Sequence, residues 1–205
     1  MKKKNFYRED LPKLFNKKNL IGVELGVARG DFSRELIKSN KFKILFGIDS
    51  YSLNQHNLNE YKFALKNVGM LENYKLINMK FDDALDLFPD KSLDFIYFDG
   101  YAHTGQNYGK TINDWSKKIK VNGILSGDDY DDKWELNKKI IDQFALKNEL
   151  NLSFTNVNKK KHIYSSWYIR ISKNIKKIDF KYSKLLKYKE IIKSVKLYAP
   201  NVKKV

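Results

Sequence analysis

Apolar residues along the chain fall in short unbroken runs, and between those runs they recur every three or four positions. Parallel strands buried on both faces and joined by amphipathic helices produce this alternation. The first run, Leu20 to Leu25, leads straight through Gly26-Val-Ala-Arg-Gly30 into the helix-like Asp31–Lys38, which continues to about Ser39. Further strands are expected at Lys43–Asp49, Tyr74–Met79, Leu93–Phe98 and Gly123–Gly127. Helical spacing separates them: Glu60 to Val68 closed by Gly69 as a C-cap, a short acidic-started helix Asp82–Pro89 stopped by its proline, Asn107 to Ile119, and Lys133 to about Leu150. The polar stretch Ser50–Asn59 reads as a loop able to cover a pocket. Leu152–Val157 and His162–Ile171 read as two last strands, antiparallel because the Asn-Lys-rich connection is too short for a crossover. The pattern predicts an α/β fold, a Rossmann-like doubly wound sheet whose ligands sit outside the carboxyl ends of the strands. Residues 1–19 form an expected N-terminal helical cap with boundaries blurred by Pro12, 20–172 the sheet domain, and 173–205 a basic helical tail.

The turn after the first strand is the first candidate site. Gly26 and Gly30 remove side chains where the backbone turns and where a ligand would approach a helix N-terminus. The GxGxxG spacing suited to a pyrophosphate is absent, since Ala28 stands at the middle position, so a dinucleotide is the weaker expectation. Glu24, two residues before the first glycine, suits a cationic or hydroxyl-bearing ligand. Asp49 ends the second strand about 20 residues after the glycines, where such folds place an acceptor for ribose hydroxyls.

Composition narrows the class. With 205 residues the chain supports one sizeable domain, and with no cysteine it has no disulfide, thiolate zinc site or cysteine nucleophile. No secretory signal or long apolar run is apparent, so a cytoplasmic location is expected. The net charge of +16 is concentrated at the ends: residues 173–205 carry +9, residues 1–20 carry +5, and only +2 remains between them. The basic residues are overwhelmingly lysine. Phosphate recognition favours the planar arginine fork, so the lysines read as a solvated surface and nucleic acid is not an expected partner.

Taken together, Glu24-Leu-Gly-Val-Ala-Arg-Gly30, Gly47-Ile-Asp49, Asp83-Ala84, Tyr97-Phe-Asp-Gly100 and Gly123-Ile-Leu-Ser-Gly-Asp-Asp-Tyr130 resemble class I S-adenosylmethionine-dependent methyltransferases, over about residues 20–171. Within them, the carboxylates after the fourth and fifth strands are most similar to bacterial metal-dependent sugar and small-molecule O-methyltransferases of the macrocin type. The resemblance implies a seven-stranded sheet with only the last strand antiparallel. It implies that Glu24, Gly26, Val27 and Gly30 hold the amino-acid part of S-adenosyl-L-methionine, that Asp49 with Ser50 takes the ribose, and that Asp82 or Asp83 with Ala84 lies beside the adenine. Asp82 and Asp83 read equally as helix caps.

Asp99, Asp128 and Asp129 would repel one another at neighbouring strand ends unless protonated, solvated or neutralised by a cation. In the resembled enzymes the matching aspartates hold a divalent ion, so Mg2+ is implied here, with Asp99 also a cofactor contact and a catalytic group. The alternative is that Asp99 binds cofactor or caps a helix and the other two are loop acids. His103 is the candidate base, one residue later than the usual Asp-Gly-x-His spacing, and a loop histidine is the competing reading. His56 reads as a loop residue and His162 as structural, Trp115 as packing, Trp134 as a brace, and Arg29 and Tyr130 as open cases.

The expected activity is therefore methyl transfer to a hydroxyl of a sugar or related polar small molecule in surface polysaccharide biosynthesis. An RNA methyltransferase and a degenerate, non-enzymatic scaffold of the same fold are the alternatives. In the tail, Tyr182, Leu185, Leu186, Ile192 and Val195 make a partial stripe that either packs back on the domain or contacts an anionic membrane or another protein. A homo-oligomer is an open option.

Overall fold

The computed structural model describes residues 5–52, 56–157 and 164–198; the side chains of His103 and of 194–198 lie outside that description. Seven strands form one sheet: β1 (Leu20–Leu25), β2 (Phe42–Asp49), β3 (Tyr74–Asn78), β4 (Leu93–Phe98), β5 (Ile119–Tyr130), β6 (Leu152–Phe154) and β7 (Ser165–Arg170). Their order is β3-β2-β1-β4-β5-β7-β6. The first five run parallel, and β7 is antiparallel to both of its neighbours, β5 and β6. This is the class I methyltransferase arrangement that the resemblance implies. Because β1 lies between β2 and β4, the connections leave it in opposite directions and open a crevice above its carboxyl end, the usual ligand position of such sheets.

Alternation on β4 shows why the strands read as continuous apolar runs. Phe95 and Tyr97 enter one core with Leu36, Phe42 and Leu45, while Ile96 and Phe98 enter the other with Trp115, Phe144 and Trp167. Both faces are covered, so no position on the strand is released to water. Leu11 and Phe15, from a 3-10 helix at Arg8–Leu14 containing Pro12, complete the first core beside Phe32 and Leu36 of α1 (Asp31–Lys38). The N-terminal cap is therefore part of the hydrophobic core.

Several boundaries differ from expectation. α2 (Leu58–Ala64) starts at the Asn57 cap and runs into a π turn over Leu65–Gly69. Asp82–Pro89 is no helix: only Leu85–Leu87 makes a 3-10 turn. The helix expected from Asn107 is split into α3 (Gly105–Tyr108) and α4 (Lys110–Trp115), joined at Gly109. Gln106, Asn107 and Tyr108 have φ of 54°, 50° and 57°, so α3 is a left-handed turn. β5 is longer than its expected core because it carries the two aspartates 128 and 129 as strand residues. α5 spans Glu135–Lys147, and α6, Lys184–Tyr198, lies in the tail. The connection expected to turn over 158–163, with His162, falls outside the described residues.

Candidate active site

A cleft of about 590 Å3 opens at the carboxyl ends of β1, β2, β4 and β5. The turn after β1 forms its floor. Gly26 has φ of +98°, and a Cβ there would lie 2.4 Å from the Asp99 carbonyl oxygen, so the β1 and β4 ends approach as closely as only glycine permits. Asp49 pins the same turn: its Oδ2 accepts from the amides of Val27 and Ala28, both at 3.0 Å, and its Oδ1 accepts from the Tyr51 amide at 3.1 Å. A carboxylate offers about four acceptor positions, so about one remains for a ligand hydroxyl. Gly30, also left-handed, is the N-cap of α1 and does not line the cleft, although its neighbours Arg29 and Asp31 do.

Strained backbone is present at this opening. Ala28, Tyr51, Tyr101 and Asp129 follow or end four different strands, and all have positive φ, between 47° and 61°. Each such residue costs about 1–3 kcal/mol, and strain of this kind concentrates at functional sites.

The charges in the cleft are unequal. Glu24, Asp31, Asp49, Glu60, Asp99 and Asp129 line it against Arg8, Arg29 and Lys80. Glu24 is 1 % exposed, and its carboxylate accepts from the Ser33 hydroxyl. Burial pushes its pKa up to about 8, against the lowering effects of Ser33 and Arg8. Burial and then the charge of Asp128 push Asp129 up to about 7. The same two causes hold Asp99 well above the usual carboxylate range. The Asp99 side chain is 30 % exposed to the cleft, so water there moderates its shift. A cationic ligand would relieve all three, because it favours the charged form of each carboxylate.

Of the expected cofactor residues, Glu24, Gly26, Val27, Asp49, Ser50 and Asp99 line the cleft together. Asp82 and Asp83 do not: both are exposed, Asp82 pairs with Lys110 at 3.0 Å, and Ala84 is buried in the core. The wall on that side comes instead from Phe81 and Tyr101, whose rings stand 4.8 Å apart. His103 sits in a 3-10 turn, Ala102–Thr104, two residues past the cleft-lining Tyr101. His56 bonds Glu60 at 2.7 Å on the rim, and Arg29 stacks on Phe63. Tyr130 donates to Asp142 at 2.6 Å and packs on Phe154, while Trp115 packs on Phe88 in the core.

The three acids of the expected metal triad are not gathered into one ligand group. Among the described residues no three His, Asp or Glu side chains form a group able to hold a metal ion. Asp128 and Asp129 lie where the pairing of β5 is irregular and Asp129 is left-handed; Asp129 lines the cleft, whereas Asp128 is buried against Arg8. Both Asp128 oxygens are engaged. Oδ2 accepts from Arg8 Nη1 at 2.5 Å, and Oδ1 accepts from the Ser166 hydroxyl at 3.2 Å. The donor set as folded does not fit a divalent ion, and the neutralising cation is Arg8. No local motif marked Arg8, because its partner lies 120 residues away.

A family model described as a methyltransferase domain matches residues 23–130. No curated protein matches the chain. Among solved structures, the fold is similar to the cofactor-bound Rv0187 from MTB, at 10% identity and a TM-score of 0.58, covering 75% of this chain and 73% of that one. It is similar to the Bacillus cereus O-methyltransferase in complex with SAH, at 12% identity and TM-score 0.55, covering 73% of each chain. A Streptococcus thermophilus rRNA methylase aligns at 16% identity and TM-score 0.57, over 80% of this chain and 94% of the other.

Proposed function

Since the chain belongs to the methyltransferase-domain family, we propose that this S-adenosylmethionine-dependent enzyme methylates a hydroxyl group of a sugar or similar polar small molecule, in the assembly of a surface glycan. The observation that carries the reading is the cleft itself: a glycine turn clamped by Asp49, with carboxylates from β1, β2, β4 and β5 around one opening. The residues fit the cofactor, because the turn clamped by Asp49 lines the cleft and the charged groups around it are mostly acidic. When bound, S-adenosylmethionine supplies a methyl group on a positively charged sulfur, and the oxygen that takes it must lose a proton.

The protein's part is to orient the acceptor and receive that proton. Asp129 and Asp99 face the cleft from adjacent strands and are placed to accept a hydroxyl hydrogen. Phe32 and Arg8 close the same side, giving an acceptor one apolar face and one charged group. Carboxylates that bond hydroxyls favour a polyol over an apolar acceptor, which supports the sugar reading. The divalent ion implied by the resemblance is not needed for these roles, and no step is assigned to it.

Calorimetric titration of S-adenosylhomocysteine should give saturable binding to the wild-type protein, and Asp49→Ala should weaken it about tenfold or more, since one carboxylate supports the turn and faces the ligand. Asp128→Asn should leave that binding within about twofold while turnover in a nucleotide-sugar acceptor screen falls, because its partner Arg8 is on the acceptor side. Equal loss of cofactor affinity in both variants would refute the division of roles. Turnover on RNA, with affinity falling steeply in salt, would replace the sugar acceptor by a nucleic acid.

A further inference from the structure

Arg8 is held in place by its own contacts and by those of the segment around it. Its segment is tied down ahead of it by a reciprocal pair, the Phe6 amide donating to Asn156 Oδ1 at 2.8 Å and the Asn156 amide donating to the Phe6 carbonyl at 2.6 Å. Behind it, Arg170 donates to the Leu14 carbonyl at 2.6 Å and Lys41 to the Phe15 carbonyl at 2.7 Å. Leu11 and Phe15 are buried in the core between these ties. The Arg8 side chain is 17% exposed, lies 4.5 Å over the Phe32 ring, and places Nη1 2.5 Å from Asp128 and 4.0 Å from Asp99. One guanidinium thus bridges carboxylates from β4 and β5 at the edge of the cleft.

We propose that Arg8 is the built-in cation of the acceptor pocket, a positioning residue that orients Asp128 and Asp99 and occupies the place a divalent metal would need, so that acceptor binding in this enzyme is independent of divalent ions. The inference rests on the acceptor site assigned above. Three features support it beyond charge balance. Its Nη1 bonds Asp128 and stands within ion-pair range of Asp99, so one fixed charge serves two carboxylates. Its approach is fixed by backbone ties on both sides, which a casual surface pairing lacks. Asp128, the carboxylate it bonds most closely, turns its other oxygen to Ser166, whose hydroxyl also lies 2.9 Å from Tyr97; the arrangement is completed by protein groups.

The test is a titration of Mn2+ into the full-length protein, followed by the electron paramagnetic resonance of free ion, on wild type, Arg8→Lys and Arg8→Met. Wild type and the lysine variant should show no saturable site at millimolar ion. The methionine variant, in which Asp128 and Asp99 lose their cation, should gain a saturable site within the same millimolar range, because the charge of Arg8 no longer opposes the ion. Binding of S-adenosylhomocysteine, measured on each variant, reports separately on folding and on the cofactor reading. Saturable Mn2+ binding by the wild type overturns the proposal. So does a methionine variant that binds S-adenosylhomocysteine but gains no metal site. If the methionine variant does not fold, the wild-type and lysine titrations alone decide.

Discussion

Glu24 is a carboxyl group placed where water cannot reach it, and it can remain there only as an acid or opposite a cation. Its pKa is raised from 4.5 to about 8, so between those values the native protein keeps a proton that the unfolded chain has released. Native protein binding more protons means that stability falls as pH rises through this window and levels off above it. The unliganded protein should therefore melt at progressively lower temperature between pH 5 and pH 8, about the span of the shift. Glu24→Gln, an amide in place of the neutral acid, should flatten that decline, and thermal melts across pH check both. Glu24, Gly26 and Asp49 were legible in the sequence because strand, turn and strand end are local patterns. Phe81, Tyr101 and Arg8 were not, because nothing beside them in the chain says what they face.

The turn between β1 and α1 shows how an element can be strained and still recognisable. Ala28 adopts φ of 47° because Asp49 holds its amide and Tyr51 bonds its carbonyl at 2.9 Å. A side chain in the left-handed region costs about 1–2 kcal/mol, part of which glycine gives back through its freer unfolded chain. Ala28→Gly should therefore stabilise the protein by about 1 kcal/mol, read as a higher midpoint in urea. A lower midpoint would mean that the turn is held by packing of the methyl group. The α3 turn is the opposite case. Its sequence reads as the start of a right-handed helix, but Thr104 accepts from the Asn107 amide at 3.2 Å, Gln106 donates to Asn137 at 3.3 Å, and Lys187 stacks on Tyr108. Contacts from α5 and α6 override local propensity there, and propensity is a weak prior once tertiary contacts compete.

The described parts of the two basic end segments, 5–19 and 173–198, are both bound to the sheet domain. After β7 the chain is held by three amide side chains in succession: Asn148 to Lys176, Asn113 to Ile178 and Gln143 to Lys181, each bonding both the amide and the carbonyl of its partner. Ile178 and Leu186 are buried, while Leu185 and Tyr188 face outward among lysines. Asn113→Ala breaks two buried hydrogen bonds and should cost about 1–3 kcal/mol, with faster proteolytic cleavage within 173–198 than in the rest of the chain. Uniform cleavage would mean that the tail and the domain open together. Among the described residues no helix is long and apolar enough to cross a membrane. Hydrophobic periodicity, glycine spacing and strand-end acids are short-range properties, and they were enough to specify the strands and the strand ends that line the cleft; the seven-stranded arrangement came from the resemblance, and the strand order only from the structure. Which charges meet was decided only by folding: the cation opposite Asp128 and the seating of the tail join residues that are distant along the chain. Such contacts leave no periodic trace, since each depends on where two surfaces come together once the core has closed.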